Sequence, residues 1–325
     1  NIYRISQQEK LAQALAVRSG LVEVFFCNSG CEANEAAIKL ARMYGHRQGI
    51  DNPAIIVMED AFHGRTLATL SATGNPKVQA GFEPLVPGFI RISHGNLAAA
   101  RQAIRHHRQA TAIMLEVVQG EGGIYPLDPF YLTALRELCD EHGLLLMCDE
   151  VQCGMGRTGK WFAYQHAGIL PDVVTLAKGL GSGVPVGACL AGGKAAGLFA
   201  PGNHGSTFGG NPMAMAAAIK TIELMESGDL VINAAKIGAR LKETFAFSLK
   251  GLPGVLDVRG QGLMLGIELD RPCGALVGQA LAAGLLINVT HECVIRLLPP
   301  LIFGEREARE LVEKLVPLIK AFLKE

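Results

Sequence analysis

The segment GLLLMCDEVQCGMGRTGK, residues 143–160, decides the fold. Its apolar run, residues 144–147, has the length and continuity of a buried strand in a parallel sheet. Two adjacent carboxylates, Asp149 and Glu150, follow this run after one further residue. Because ligands of open α/β sheets bind at the carboxyl ends of the strands, we expect Asp149 to face a ligand. The Glu150 side chain points to the opposite face of the strand, so we expect it to be structural.

Similar apolar runs alternate with helical patterns along the first two thirds of the chain. The strand-like runs are LVEVFFC, AIIVMED, AIMLEVV, LLLMCDE and DVVTLA, and the helical patterns include EANEAAIKLARMYGHR and YLTALRELCDEHG. This alternation predicts βαβ units and a mainly parallel sheet. After about Glu223 the strands become short, and a charged amphipathic helix closes the chain. We therefore predict a large α/β domain over residues 1–222 and a smaller C-terminal α+β domain over residues 223–325.

The composition excludes several classes of protein. Of 325 residues, 49% are hydrophobic, and 30 basic residues balance 30 acidic ones, which argues against binding to nucleic acid or to an anionic membrane. No apolar run approaches the roughly 18 residues of a membrane span. Eight cysteines without a C-x-x-C pair favour reduced thiols in the cytoplasm over disulfides or a zinc site. The chain begins at Asn1 rather than Met and enters a helical pattern at once, so we expect further residues upstream.

The first candidate site is FFCNSGCEANEAAIK, in which a strand ends near Cys27 and a helix follows. Ser29 and Glu32 have the S-x-x-E spacing of a helix capping box. A strand, a Ser-Gly turn and a helix together present backbone amides and a helix dipole to a phosphate group. An ordinary capped helix without a ligand is the alternative interpretation.

The second candidate is Lys178, which follows the strand-like run DVVTLA and precedes a glycine-rich turn. The turn is not a G-x-G-x-x-G loop, because Val184 or Val186 occupies the third glycine position, and no P-loop motif occurs. A lysine at the end of a buried strand loses solvation, which lowers its pKa and makes it a nucleophile. When Lys178 is considered alone, the alternative interpretation is an ordinary solvent-facing lysine. Together with Asp149 and the Ser29–Gly30 turn, it suits a phosphorylated pyridine aldehyde.

Seven segments resemble, in order and spacing, the successive motifs of the class III, ornithine-type aminotransferases. They are SGCEANEAAIKLAR, FHGRT, QGEGG, DEVQCGMGRTGK, TLAKGLGSGVPVGA, GSTFGGNP and RLLPPL. The resemblance covers the chain from Asn1 to its end, and it implies the pyridoxal phosphate-dependent transferase fold type I and pyridoxal 5'-phosphate as cofactor. Within the family, NHGSTFGGNPMA and RGQGLMLGIEL are most similar to members that act on N2-acetylornithine in arginine biosynthesis. This implies ping-pong transfer of the δ-amino group to 2-oxoglutarate, which becomes glutamate.

The resemblance also assigns residues around the cofactor ring. Lys178 would be attached to the cofactor and would move the proton during transfer. Asp149 would face the pyridine nitrogen and raise its proton affinity, which makes the ring an electron sink. Gln152 would contact the ring 3-oxygen, and Val151 would pack under the ring. Phe62 would stack over the ring, with plain core packing as its alternative.

The phosphate contacts would come from two subunits. The resemblance implies Ser29, Gly30 and Cys31 from one subunit and Thr207 from its partner, and hence a homodimer with shared active sites. The family has Ala or Thr at the position of Cys31, so only a backbone contact is expected there. Cys153 replaces the usual Thr or Ser and is expected to behave as a small apolar residue.

Two arginines are candidates for binding substrate carboxylates, because a guanidinium group binds a carboxylate through two hydrogen bonds. By resemblance, Arg65 would hold the α-carboxylate of acetylornithine, and Arg296 would hold a carboxylate of glutamate or 2-oxoglutarate. Glu121 would pair with Arg296 and release it when glutamate binds, and Ser206 would contact the acetylated substrate. A surface ion pair is the alternative for Arg296. The histidines, His63 among them, show no metal-ligand spacing, so we expect solvated or packing roles and no metal.

Other activities remain open at this point. Ornithine, succinylornithine, succinyldiaminopimelate and 4-aminobutyrate aminotransferases share the fold and differ in pocket residues. An aminomutase, which keeps the amine on one carbon skeleton, would need no 2-oxoglutarate, and the two arginines argue against it. A non-catalytic cofactor-binding protein is a third hypothesis, against which Lys178, Asp149 and Arg65 together argue.

Overall fold

The computed structural model describes residues 3–324. The helices are α1 (Ser6–Ser19), α2 (Gly30–Arg47), α3 (Leu67–Ala72), α4 (Pro76–Gln79), α5 (Leu97–His106), α6 (Pro129–Glu141), α7 (Pro212–Ser227), α8 (Leu230–Ser248), α9 (Ala275–Ala282) and α10 (Glu305–Phe322). The strands are β1 (Glu23–Cys27), β2 (Ala54–Met58), β3 (Phe89–Ile92), β4 (Ala110–Glu116), β5 (Val118–Gln119), β6 (Tyr125–Pro126), β7 (Leu145–Asp149), β8 (Val173–Leu176), β9 (Gly187–Ala191), β10 (Val255–Gln261), β11 (Met264–Leu269), β12 (Asn288–Thr290) and β13 (Val294–Leu297). Short 3-10 turns cover Ala163–Ala167, Lys178–Leu180 and Gly193–Ala195.

The large sheet has seven strands in the order β1-β9-β8-β7-β4-β2-β3. Strands β3, β2, β4, β7 and β8 are parallel, whereas β9 is antiparallel to both of its neighbours. Because β1 is antiparallel to β9, it has the same direction as the other five strands. The predicted α/β class with a mainly parallel sheet is therefore confirmed.

Both faces of the large sheet are buried, which explains the continuous apolar runs in its strands. Along β7, Leu146 and Cys148 join the core on one face, and Leu145 and Met147 join the core on the other. Helix α2 covers the second face with a stripe of small side chains, Ala36, Ala37 and Ala41, which allow close approach.

At the carboxyl edge of the sheet, polar residues from three neighbouring strands lie side by side. Glu116 at the end of β4 is in register with Asp149 at the end of β7, which is in register with Thr175 of β8. Paired residues of parallel strands point to the same face, so these three side chains all lie on the side covered by α2. The sheet thus gathers a polar row at the edge where ligands bind in open α/β folds.

A second, antiparallel sheet in the order β10-β11-β13-β12 follows the large one in the chain. Its buried side chains form a separate core with α8, α9 and α10 that begins at Ala234. The predicted domain boundary between residues 222 and 223 falls inside helix α7, and the division into two domains stays a prediction. Over the described residues, no helix combines the length and apolarity needed to cross a membrane.

Candidate active site

A cleft of about 360 Å³ lies at the carboxyl edge of the large sheet. Eight of the nine residues expected at the cofactor line it: Ser29, Gly30, Cys31, Phe62, Asp149, Val151, Gln152 and Lys178. The ninth, Thr207, lies on an exposed segment and is not part of the lining. Residues far apart in sequence are thus brought to one place by the strand order.

The N-terminus of α2 forms one wall of the cleft. Ser29 caps the helix, and its hydroxyl accepts a hydrogen bond of 3.2 Å from the backbone N–H of Glu32. The Glu32 carboxylate turns back to the N–H of Asn28 at 2.6 Å, one residue before the position that the capping box predicts. A Cβ on Gly30 would lie 2.8 Å from Val151 Cγ1, so only glycine permits this close approach. The positive end of the helix dipole therefore faces the cleft, as an anion requires.

Asp149 is held at the base of the cleft by three hydrogen-bond donors, and the Thr175 hydroxyl, whose single proton is donated to Asn34 Oδ1, lies nearby. His63 Nδ1 and Asn34 Nδ2 each lie 2.8 Å from its Oδ2. The Val151 N–H lies 3.0 Å and the Thr175 hydroxyl 3.4 Å from its Oδ1. Asp149 is 3% exposed, so these donors replace the water that a carboxylate would otherwise bind.

Four residues next to Asp149 were not predicted as site residues: Asn34, His63 and Thr175, whose side chains contact its carboxylate, and Glu116 on the neighbouring strand. Asn34 also donates to the His63 carbonyl at 2.7 Å and accepts from the Thr175 hydroxyl at 2.7 Å. The sequence signal that could have identified Asn34 is its polar side chain on the apolar stripe of α2, three positions before Ala37. His63 was expected to be solvated or to pack, and it is buried beside Asp149 instead. No local signal identified Glu116, because only strand pairing brings it next to Asp149.

The imidazole of His63 is fully enclosed, and two effects on its pKa compete. Burial lowers the pKa, but the hydrogen bond and charge of Asp149 outweigh it, so the pKa is raised overall. Among the described residues, His63 Nε2 has no hydrogen-bond partner. His63 therefore orients Asp149 through its Nδ1 hydrogen bond.

Lys178 follows β8 and lines the cleft. Its φ of 42° lies in the left-handed region, which is uncommon for a residue other than glycine. Desolvation by the surrounding cleft walls lowers the pKa of its ammonium group, although Asp149 and Glu116 oppose this change. A strained backbone and a lowered pKa at one lysine suit a nucleophilic amine.

The expected pair of Glu121 and Arg296 is present beside the cleft. Arg296 Nη1 lies 2.6 Å from Glu121 Oε1, and the Gln152 amide lies 3.4 Å from the same oxygen. Arg296 Nε is buried and has no partner among the described residues. The guanidinium group is thus held by one carboxylate and keeps donors for another.

The other predicted substrate residues lie around the cleft without lining it. Arg65 is exposed, and its backbone N–H contacts Cys31 Sγ at 3.3 Å. The Ser206 hydroxyl accepts from Asn28 Nδ2 at 3.2 Å, which places Ser206 next to the start of α2. Cys153 is buried and contacts the carbonyl of Asp149 at 3.7 Å. No group of metal-ligating side chains was found among residues 3–324.

Comparisons with known proteins agree on one family. A family model described as aminotransferase class-III matches residues 1–319. The acetylornithine aminotransferase of Nitrosomonas europaea is 57% identical over 323 residues, which are 99% of this chain and 82% of that protein. The solved N-acetylornithine aminotransferase of Stenotrophomonas maltophilia has a TM-score of 0.84 at 35% identity, covering 100% of this chain and 82% of its own. An ornithine aminotransferase structure from Toxoplasma gondii, described as having partial occupancy of PLP, has a TM-score of 0.94 at 30% identity, covering 99% and 79%.

Proposed function

Because the chain belongs to the class III aminotransferases, we propose that it transfers the δ-amino group of N2-acetylornithine to 2-oxoglutarate, using pyridoxal phosphate. The predicted family, the fold type I architecture and the enzyme class are confirmed. The observation that carries the proposal is one cleft lined by Lys178, Asp149 and the start of α2. The identity of 57% to an acetylornithine aminotransferase supports the choice of amine donor and a place in arginine biosynthesis.

The donor set of the cleft fits the cofactor. A helix N-terminus suits a phosphate, a desolvated lysine suits an aldehyde, and a buried aspartate suits a protonated pyridine nitrogen. When bound, the cofactor supplies an electron sink for the carbon that loses its proton. Ser29, Gly30 and Cys31 would bind the phosphate, Gln152 the 3-oxygen, and Val151 and Phe62 the two faces of the ring.

Lys178 would hold the cofactor through its amine and, once the substrate amine has displaced it, would act as general acid and base. Because burial lowers the pKa of Lys178, its free amine is favoured, and that amine would accept the proton released from the substrate Cδ. Asp149, kept in place by His63 and Asn34, would keep the pyridine nitrogen of a bound cofactor protonated. An opposite charge at contact raises that proton affinity by about 1–3 pKa units.

The arginines account for the binding of two different substrates at one site. Arg65 would bind the α-carboxylate of acetylornithine, and Ser206 would contact its acetyl group. Glu121 neutralises Arg296 while the amine donor is bound. When 2-oxoglutarate or glutamate enters, its second carboxylate would take the place of Glu121 on the guanidinium group.

The enzyme would act as a cytoplasmic homodimer with shared active sites. Thr207 is exposed in the single chain, and the neighbouring Phe208 side chain is 72% exposed, which suits a segment that reaches a partner's cleft. Thr207 of each subunit would then complete the phosphate site of the other. The free state of the cysteines within residues 3–324 agrees with a reducing compartment.

Ornithine is the second candidate amine donor, since the Toxoplasma gondii ornithine aminotransferase has a TM-score of 0.94 to this chain. The test follows the visible absorbance of the bound cofactor in single half-reactions with acetylornithine, ornithine, succinylornithine, succinyldiaminopimelate and 4-aminobutyrate in parallel. We expect acetylornithine to bleach the band fastest and 2-oxoglutarate to restore it. A faster reaction with another amine would replace the substrate, and no bleaching by any amine would refute transamination.

A further inference from the structure

We infer that Glu116 is a positioning residue that joins the backbone at Phe62 to the backbone at Gly120, the residue before Glu121, so that the two segments move together. The inference rests on the proposed function, in which Phe62 faces the cofactor ring and Glu121 controls Arg296. It concerns a residue that has no assigned role in transamination.

Glu116 is the last residue of β4 and lines the cleft next to Asp149. It is 3% exposed, and burial together with the charge of Asp149 raises its pKa to about 7. A buried carboxylate is costly unless it is fully hydrogen-bonded. Glu116 therefore needs hydrogen-bond donors that contact both of its carboxylate oxygens.

Those partners are two backbone amides from different segments. Glu116 Oε1 accepts from the Phe62 N–H at 2.8 Å, and Oε2 accepts from the Gly120 N–H at 3.1 Å. An ionised carboxylate accepts at both oxygens, whereas a glutamine side chain offers one oxygen and one NH₂ donor. Glutamine at this position would retain one of the two contacts and oppose the other.

Each of the two segments carries a residue that acts at the site. Phe62 precedes His63, which is hydrogen-bonded to Asp149. Gly120 precedes Glu121, and a Cβ on Gly120 would lie 2.3 Å from Gln152 Oε1, so its backbone is packed against that side chain. When a substrate carboxylate displaces Glu121 from Arg296, the backbone at Gly120 and Glu121 moves. Glu116 transmits this movement to the backbone at Phe62.

The chain offers a matched control in Glu150. This carboxylate is 1% exposed, and its pKa is also raised to about 7 by burial. It accepts from the N–H groups of Tyr164 and Ala163, each at 2.9 Å, in a segment that does not line the cleft. Glu116→Gln and Glu150→Gln therefore remove the same kind of double contact in two different places.

The test measures amide hydrogen exchange in the full chain, with and without pyridoxal phosphate, for Glu116→Gln, Glu150→Gln, Glu121→Ala and the pair Glu116→Gln/Glu121→Ala. Glu121→Ala frees its own segment, and with Glu116 present we expect exchange in residues 60–64 to rise about threefold to tenfold. In the Glu116→Gln background, adding Glu121→Ala should leave that segment unchanged. The Glu150→Gln variant should transmit the effect of Glu121→Ala like the wild-type chain.

Two results would overturn the inference. One is no response of residues 60–64 to Glu121→Ala when Glu116 is present. The other is the same response after Glu116→Gln, which would assign the coupling to the second link between the segments, the 2.7 Å contact of Gln119 Nε2 with the Glu59 carbonyl. Because exchange needs no turnover, a failed amine assay with intact coupling would refute the proposed function and leave this inference standing.

Discussion

Asn34→Ala tests the buried network that supports Asp149. The substitution removes one hydrogen bond to a carboxylate and two neutral ones, to the His63 carbonyl and from the Thr175 hydroxyl. A bond to a charged group contributes about 1.5–3 kcal/mol and a neutral one about 1 kcal/mol. The higher helix propensity of alanine returns about 0.5 kcal/mol. We therefore expect the free energy of unfolding to fall by about 3–4.5 kcal/mol.

The assay is equilibrium unfolding in urea of the cofactor-free protein, followed by the fluorescence of the single tryptophan, Trp161. The matched control is His46→Ala, an exposed position on the same helix, which should change the free energy of unfolding by less than about 0.5 kcal/mol. Affinity for pyridoxal phosphate should also fall in Asn34→Ala, because Asp149 loses a donor that orients it. A loss of stability below about 1 kcal/mol with unchanged cofactor affinity would refute the network argument.

Three further predictions address the lysine, a buried acid and substrate selection. Lys178→Ala should abolish turnover while the fold is kept, as checked by half-reaction absorbance and circular dichroism; wild-type rates would contradict the mechanism. Because burial raises the pKa of Glu150 to about 7, the folded state binds its proton more tightly than the unfolded state does, and this contribution to stability is lost as pH rises from about 4.5 to 7. Glu150→Gln should flatten that part of the unfolding curve against pH, and an unchanged slope would count against the raised pKa. Glu121→Gln leaves Arg296 unneutralised, so the enzyme should lose part of its preference for acetylornithine over glutamate as amine donor. We expect the ratio of the two kcat/KM values to fall about tenfold, which corresponds to about 1.4 kcal/mol. An unchanged ratio would show that the ion pair does not control the choice of substrate.

Local sequence patterns marked the positions of three candidate residues. Asp149 follows one strongly apolar run, Lys178 follows another, and Ser29 has the spacing of a helix capping box. Each of these patterns predicts the end of a strand or the start of a helix. Phe62, Gln152 and the Glu121–Arg296 pair came from motif resemblance, and the structure places all four at or beside the cleft.

The residues that escaped prediction act through long-range packing. Glu116 lies next to Asp149 only because β4 and β7 are neighbouring strands. The order of strands in a sheet cannot be predicted from any short segment of sequence. His63 carried no signal beyond its presence in the FHGRT motif, and its contact with Asp149 spans 86 positions.

The reversed strand β9 has a geometric consequence for the cleft. It lies between β1, which leads into α2, and β8, which leads into Lys178. Neighbouring strands are about 4.8 Å apart, so β1 ends about 9.5 Å from β8, and the chain must cross β9 before α2 can reach the lysine strand. It does so at two glycines. A Cβ on Gly187 of β9 would lie 2.3 Å from the Ser29 carbonyl oxygen, and a Cβ on Gly30 would lie 2.8 Å from Val151 Cγ1 and 3.5 Å from Ala177 Cβ. The distance between the start of α2 and the lysine strand therefore depends on two missing side chains, and a larger residue at either glycine would widen the cleft, at Gly187 without altering any residue that lines it.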